Sequence, residues 1–305
     1  MKDSAKGVSA LVAACTIWGL SPLYYYLLAD VPPLEVLCYR TLWSLIFFAC
    51  VLALQGRIGL IRDALRNRKT AATICVAALM ISANWFGFIY TISLGNGLQA
   101  SLGYYMFPLV AVVLGWLVFG ERMSRGQMVA VGLAALAVVV LTLGLGVPPW
   151  IALMLASTFG AYGVLKKGLD LGPVVSVTAE VAVLAPLALL WLMFEGTEIG
   201  AHALNWPDMI LLAISGPLTG LPLILFSTAA RRVRLSTVGL VQYLNPTLQF
   251  GCAVLFFGNP ITPWHAIAFP TIWMALALYS LSSLRQDRAA RRATRKAATS
   301  GTAVT

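Results

Sequence analysis

Apolar residues run in long blocks along this chain, divided by short polar connections. Ten blocks, near 7–28, 34–54, 70–92, 99–119, 126–143, 149–165, 173–194, 208–229, 235–257 and 263–284, hold roughly 17–23 mostly apolar residues each. At 1.5 Å of rise per residue, such a block crosses a ~30 Å hydrocarbon core as an α-helix. The runs are continuous rather than alternating apolar with polar, which favours helical spans over a β-barrel. The first block is longer than the apolar region of a signal peptide and no small-residue cleavage site follows it, so it is expected to remain as the first span. The pattern predicts an all-α membrane protein of ten transmembrane helices. Connections of a few to about fifteen residues leave no room for a soluble domain between them.

Composition agrees: 60 % of the 305 residues are hydrophobic, 10 % are charged, and the mean hydropathy is +0.85. Charge adds an orientation. Twenty of the 21 Lys and Arg residues fall at the N-terminus, in the connections around 55–69, 120–126, 166–172 and 230–235, or after 284, all on one side of a ten-helix chain. The opposite connections hold Asp30, Glu35, Glu195, Glu198 and Asp208 and no basic residue. The positive-inside rule then places both termini in the cytoplasm. Because the formal charge of +10 is spread over alternate loops rather than gathered on one face, nucleic acid is not an expected partner. The basic tail, 285–305, is expected to be disordered and to lie near anionic lipid. Five scattered cysteines without a CxxC pair or a histidine neighbour suggest neither a metal nor any other cofactor.

The chain also resembles itself. Pro108 and Gly120 of the fourth block recur as Pro246 and Gly258 of the ninth at an offset of 138, with Tyr105 matching Tyr243 and Phe119 matching Phe257. Trp18-Gly19 and Phe159-Gly160 share an offset of 141, and Pro33 and Pro173 one of 140. Two repeats of five helices are expected, over 1–146 and 147–284. An odd number of helices per repeat turns the second one upside down in the membrane, the architecture of many secondary transporters.

The stretches "IWGLSPLYY", "EVLCYRTLWS", "NWFGFIY", "QASLGYYMFPLVAVVLGWLVFGERM" and "RLSTVGLVQYLNPTL" resemble the RarD proteins, a branch of the EamA group in the drug/metabolite transporter superfamily. The resemblance runs from about Gly7 to Leu284. It implies a permease of the bacterial inner membrane with ten helices in an inverted five-plus-five duplication. RarD proteins are commonly labelled chloramphenicol-sensitive permeases; the resemblance carries over no substrate and no binding residue.

Candidate site residues therefore rest on chemistry. Arg40 is the one basic residue outside the basic loops, and at an offset of 140 it is matched by Glu180, the one acid inside a span. A charge in a span costs ~2.5–3.5 kcal/mol on insertion scales, so it faces a partner or a wet cavity. Three roles are open to Arg40: a gate or substrate site, an ion pair with Glu180, or an anchor snorkelling to the outer interface. In the ninth span Gln242, Asn245 and Gln249 form one polar stripe, and Pro246 removes a donor so that the Gln242 carbonyl is freed. Trp18, Trp85, Tyr105 and Tyr243 lie deep enough to wall a pocket for a flat or amphiphilic solute, whereas the run Tyr24–Tyr26 reads as interfacial belt.

These features favour a secondary-active transporter that moves a small amphipathic metabolite or drug-like solute by alternating access, with a proton gradient as a candidate driving force. A channel or sensor shares the helix pattern but has no need of the inverted repeat. An enzyme finds little support: His202 and His265 lie at the outer edge and no HExxH is present. The oligomeric state is not legible.

Overall fold

A computed structural model describes residues 2–120, 123–146, 149–198, 205–230, 232 and 235–301. It is built of α-helices: α1 Lys2–Tyr26, α2 Pro33–Leu54, α3 Gly59–Arg66, α4 Arg68–Ser93, α5 Gly97–Phe119, α6 Arg125–Leu145, α7 Trp150–Lys167, α8 Pro173–Glu198, α9 Trp206–Ala230, α10 Leu235–Gln242, α11 Leu244–Leu255 and α12 Pro263–Gly301. Local chemistry sets several of the ends. Pro33 opens α2, where its missing N–H costs nothing. The Asn67 side chain accepts from the Lys69 and Thr70 amides to cap α4. Ser124 and Gln127 form a reciprocal capping box at the start of α6.

Among the described residues, eight helices are long and apolar enough to cross a membrane: α1, α2, α4, α5, α6, α8, α9 and α12. The chain is thus a multi-pass membrane protein, and two of the ten expected spans differ from a single apolar helix. The sixth, α7, is 18 residues long and ends in Lys166 and Lys167, which lower its hydropathy. The ninth is broken at Tyr243 into α10 and α11. Pro246 explains the break, since its ring crowds the carbonyl four residues earlier, that of Gln242, and its nitrogen offers no hydrogen.

Two further differences lie at the ends of the bundle. The basic connection 55–69, expected as loop, contains α3. The tail expected to be disordered continues α12 as helix to Gly301, in keeping with its run of Ala, Arg and Lys, all good helix formers.

The packing interleaves the first part of the chain with the second. The extensive contacts are α5 with α7, α6 with α12, α2 with α8 and α9, α1 with α9 and α11, α4 with α7, and α5 with α11. Two buried clusters result. One gathers α5, α6 and α12 around Leu102, Tyr105, Phe269 and Ile272; the other gathers α1, α2, α4, α7 and α8 around Tyr25, Trp85, Phe88 and Val181.

Candidate functional site

Arg40 lies in the second cluster because α2 and α9 come unusually close. Gly216 of α9 rests on the α2 backbone, where a Cβ would stand 2.4 Å from the Trp43 carbonyl oxygen; Gly220 lies against the Phe47 ring. The two helices therefore advance side by side in the same direction. Thr219 falls further along α2 than Arg40 itself, and the Arg40 Nε donates to its Oγ1 at 3.0 Å. The side chain thus turns away from the start of α2 and into the bundle, opposite to a snorkelling anchor, and the residue is only 7 % exposed. Its guanidinium carbon stands 4.0 Å from the centre of the Trp85 ring and 5.5 Å from that of Tyr25. The charge is met by a hydroxyl and two aromatic faces, an arrangement open to arginine through its planar, weakly hydrated fork.

Glu180 is committed elsewhere. Lys166 Nζ lies 2.6 Å from its Oε1, the Ser176 hydroxyl donates to the same oxygen at 2.9 Å, and the Tyr162 hydroxyl donates to Oε2 at 3.0 Å. Lys166 also donates to Ser176. The ion pair between Arg40 and Glu180 that the sequence left open is therefore not the pairing found. Lys166, counted as a loop charge, is the partner instead: five residues, 168–172, join α7 to α8, so the last turn of one helix meets the first turns of the other.

Between the two charged centres runs a continuous series of ring contacts. Tyr25 meets Phe88 at 5.7 Å, Phe88 meets Tyr104 at 5.7 Å, Tyr104 meets Phe159 at 5.9 Å, and Phe159 stacks on Tyr162 at 6.1 Å. The series draws on α1, α4, α5 and α7 and ends on the hydroxyl bonded to Glu180. Asn84 braces its middle, donating to the Leu155 carbonyl at 2.9 Å and accepting from the Tyr104 hydroxyl at 3.0 Å.

Tyr25 corrects the sequence reading. Of the three consecutive tyrosines assigned to the interfacial belt, Tyr26 is half exposed, Tyr25 is buried beside Arg40, and Tyr24 donates to the Leu211 carbonyl of α9. Successive helical residues point about 100° apart, so three in a row cannot share one face.

The other expected residues divide. Trp85 stands with Arg40. Trp18 packs against Phe226 of α9 at 5.9 Å. Tyr105 and Tyr243 belong to the first cluster, where the Tyr105 hydroxyl lies 2.9 Å from Thr247 Oγ1 and the Tyr243 carbonyl accepts from that threonine. On α11 the Gln249 Nε2 donates to Asn245 Oδ1 at 2.9 Å, and the buried Gln249 Oε1 has no partner among the described residues. Gln242 ends α10 at the break, half buried. Thr219, Phe159, Tyr162, Ser176 and Lys166 are site residues that sequence reasoning missed. Of these only Lys166 carried a signal, through the short link between its helix and that of Glu180.

Comparison with known proteins agrees with this architecture. The model of the EamA-like transporter family matches residues 5–143 and 148–281. Protein RarD of Streptomyces exfoliatus is 42 % identical over 279 residues, covering 90 % of this chain and 88 % of its own. An uncharacterized transporter of Vibrio cholerae serotype O1 is 37 % identical over 294 residues, covering 96 % of this chain and 97 % of its own. A crystal structure of another protein, 18 % identical, covers 92 % of this chain and 99 % of its own with a TM-score of 0.61, a likeness of fold alone. A helical membrane bundle whose sequence matches this family along nearly its whole length belongs to the EamA-like transporters, in their RarD branch.

Proposed function

We propose that the chain is a secondary-active permease of the bacterial inner membrane that moves a small amphipathic solute bearing an anionic group. It works by alternating access between two inverted five-helix repeats, 1–146 and 147–284, with both termini cytoplasmic. Arg40 meets the anionic group and the neighbouring aromatic residues meet the apolar body. The observation that carries the reading is the state of Arg40: a charge buried at a cost of ~2.5–3.5 kcal/mol, held by hydroxyl and ring-face contacts while the matched acid serves a lysine. A guanidinium fork, planar and rich in N–H donors, suits bidentate capture of a carboxylate or phosphate.

Several features support the duplication. Exchanging α1 with α7, α2 with α8, α4 with α9, α5 with α10 and α11, and α6 with α12 turns each extensive packing into another of the set or into itself, except that of α2 with α9, whose counterpart, α4 with α8, is a smaller contact. Gly19 of α1 packs on Leu248 of α11, and Gly160 of α7 packs on Val110 of α5. These two contacts are related by the offsets of 141 and 138 already present in the sequence. The broken ninth span fits as well, since interrupted helices with freed carbonyls line transporter cavities.

The test is flux of a metabolite panel, anionic, zwitterionic and cationic, in vesicles holding the purified protein, with and without a proton gradient. Saturable flux of anionic or zwitterionic members, with counterflow and dependence on Arg40, is expected. Flux that rises linearly with concentration and shows no counterflow would indicate a channel and overturn the proposal.

A further inference from the structure

The segment between α2 and α4 has a chemistry that solute transport does not use. Residues 57–69 carry Arg57, Arg62, Arg66, Arg68 and Lys69 against one acid, Asp63, and all five basic side chains are exposed. Within it, α3 sorts its residues by side. Ile61, Ala64 and Leu65 turn toward the bundle and pack with Ile74 of α4 and with Ala179 and Val183 of α8. Arg62 and Arg66, one turn apart, stand together on the flank. Two large apolar residues remain uncovered, Ile58 at 52 % exposure and Leu60 at 39 %. A shallow groove is lined by Ile58, Ile61, Arg62, Leu65 and Arg66. Its floor is apolar and its rim holds two guanidinium groups.

The geometry points to this groove as a binding site for an anionic phospholipid of the surrounding bilayer. The headgroup phosphate sits between Arg62 and Arg66, and the upper acyl chain lies over Ile58, Ile61 and Leu65. Charge complementarity selects the headgroup, since a basic cluster beside a membrane is drawn to anionic lipid. The apolar floor selects a lipid over a free anion, because inorganic phosphate gains nothing from covering isoleucine and leucine. A short helix with one apolar sector and a basic flank, set between two spans, also has the pattern of a helix lying in the membrane interface. Occupancy has a route to the transport machinery: α3 rests on Ala179, the neighbour in sequence of Glu180. A lipid that fixes α3 therefore steadies the helix carrying that ion pair.

The experiment uses the full-length protein in mild detergent, titrated separately with phosphatidylglycerol, phosphatidylcholine and inorganic phosphate, with bound lipid counted by native mass spectrometry. The variants are Arg62→Gln/Arg66→Gln and, as a control with the same loss of charge outside the groove, Arg68→Gln/Lys69→Gln. Phosphatidylglycerol is expected to bind in preference to phosphatidylcholine. The groove variant should weaken it roughly thirtyfold, from ~1 kcal/mol for each basic group, and the control about threefold or less. Ile58→Ser should weaken it further without altering net charge. Equal losses in both double variants would reduce the site to diffuse surface charge. Displacement of the lipid by millimolar inorganic phosphate would make it a free-anion site, and equal binding of phosphatidylcholine would make it merely apolar. Each of these results overturns the assignment, and none depends on whether the chain transports a solute.

Discussion

Removing Lys166 should cost more than removing the acid it pairs with. Glu180 is 1 % exposed and Lys166 is 21 % exposed, so the carboxylate has no way out of the bundle whereas the ammonium, on a flexible stem, can swing to water. At 2.6 Å the attraction is about 6 kcal/mol for an effective dielectric near 20, most of which is offset by the loss of hydration. Breaking a buried pair and stranding one charge costs ~3–5 kcal/mol. For Lys166→Met the lower end, ~3 kcal/mol, is expected, because the Ser176 and Tyr162 hydroxyls still donate to Glu180. For Glu180→Gln the expected loss is ~1 kcal/mol, one to two hydrogen bonds' worth. The double variant Lys166→Met/Glu180→Gln should recover most of the larger loss, giving a coupling energy of ~1–3 kcal/mol. Equilibrium unfolding in mixed micelles, read by a probe confined to α7 and α8, measures all three variants against the parent. Equal losses in the two single variants, or a coupling below ~0.5 kcal/mol, would mean that the pair behaves as an exposed one and that Glu180 is not sealed from water.

Other expectations follow from the same geometry. Arg40→Ala should abolish most solute flux in vesicles and Arg40→Lys only part of it, with both proteins inserted and folded; parent rates in Arg40→Ala would reduce the residue to packing. Thr219→Val, which removes the acceptor of Arg40 Nε but keeps the shape, should tighten binding of an anionic solute while sparing stability to within ~1.5 kcal/mol. Gly216→Ala puts a methyl 2.4 Å from the Trp43 carbonyl oxygen and should destabilise the protein by ~1–3 kcal/mol, whereas Gly132→Ala, whose added methyl meets nothing within 4 Å, should be neutral or better. Single cysteines placed in 55–69 or 166–172 of a cysteine-free variant should resist an impermeant thiol reagent applied to intact cells, and labelling from outside would reverse the orientation.

The helices were legible because spans are written as long apolar blocks, a signal that tertiary context does not override. The break in the ninth span was legible too, since Pro246 acts locally on the Gln242 carbonyl. What the sequence concealed depends on which helices meet. Thr219 reads as an ordinary threonine in an apolar run, and nothing short of the seating of Gly216 on Trp43 reveals that it stands where Arg40 reaches. Phe159 likewise shows no link to the charged residues until α5 and α7 bring it against Tyr104. Two errors came from treating neighbours in sequence as equivalent: the three tyrosines at the end of α1, and the pair Lys166 and Lys167, read together as loop charge although Lys166 meets Glu180.

These differences change what the matched charges mean. Had Arg40 and Glu180 met, they would have formed one static bridge between α2 and α8. Each instead keeps its own surroundings, Arg40 with Thr219, Trp85 and Tyr25, and Glu180 with Lys166, Ser176 and Tyr162. The first set draws on α1, α2, α4 and α9; the second is confined to α7 and α8. A displacement of α9 along α2 would therefore remove the hydroxyl from Arg40 without disturbing Glu180, leaving the cation in need of an anion. In the proposed transport cycle, relief of that unmet charge by the solute would give the two states different affinities, and an equilibrium between conformations responds to a ligand only through such a difference.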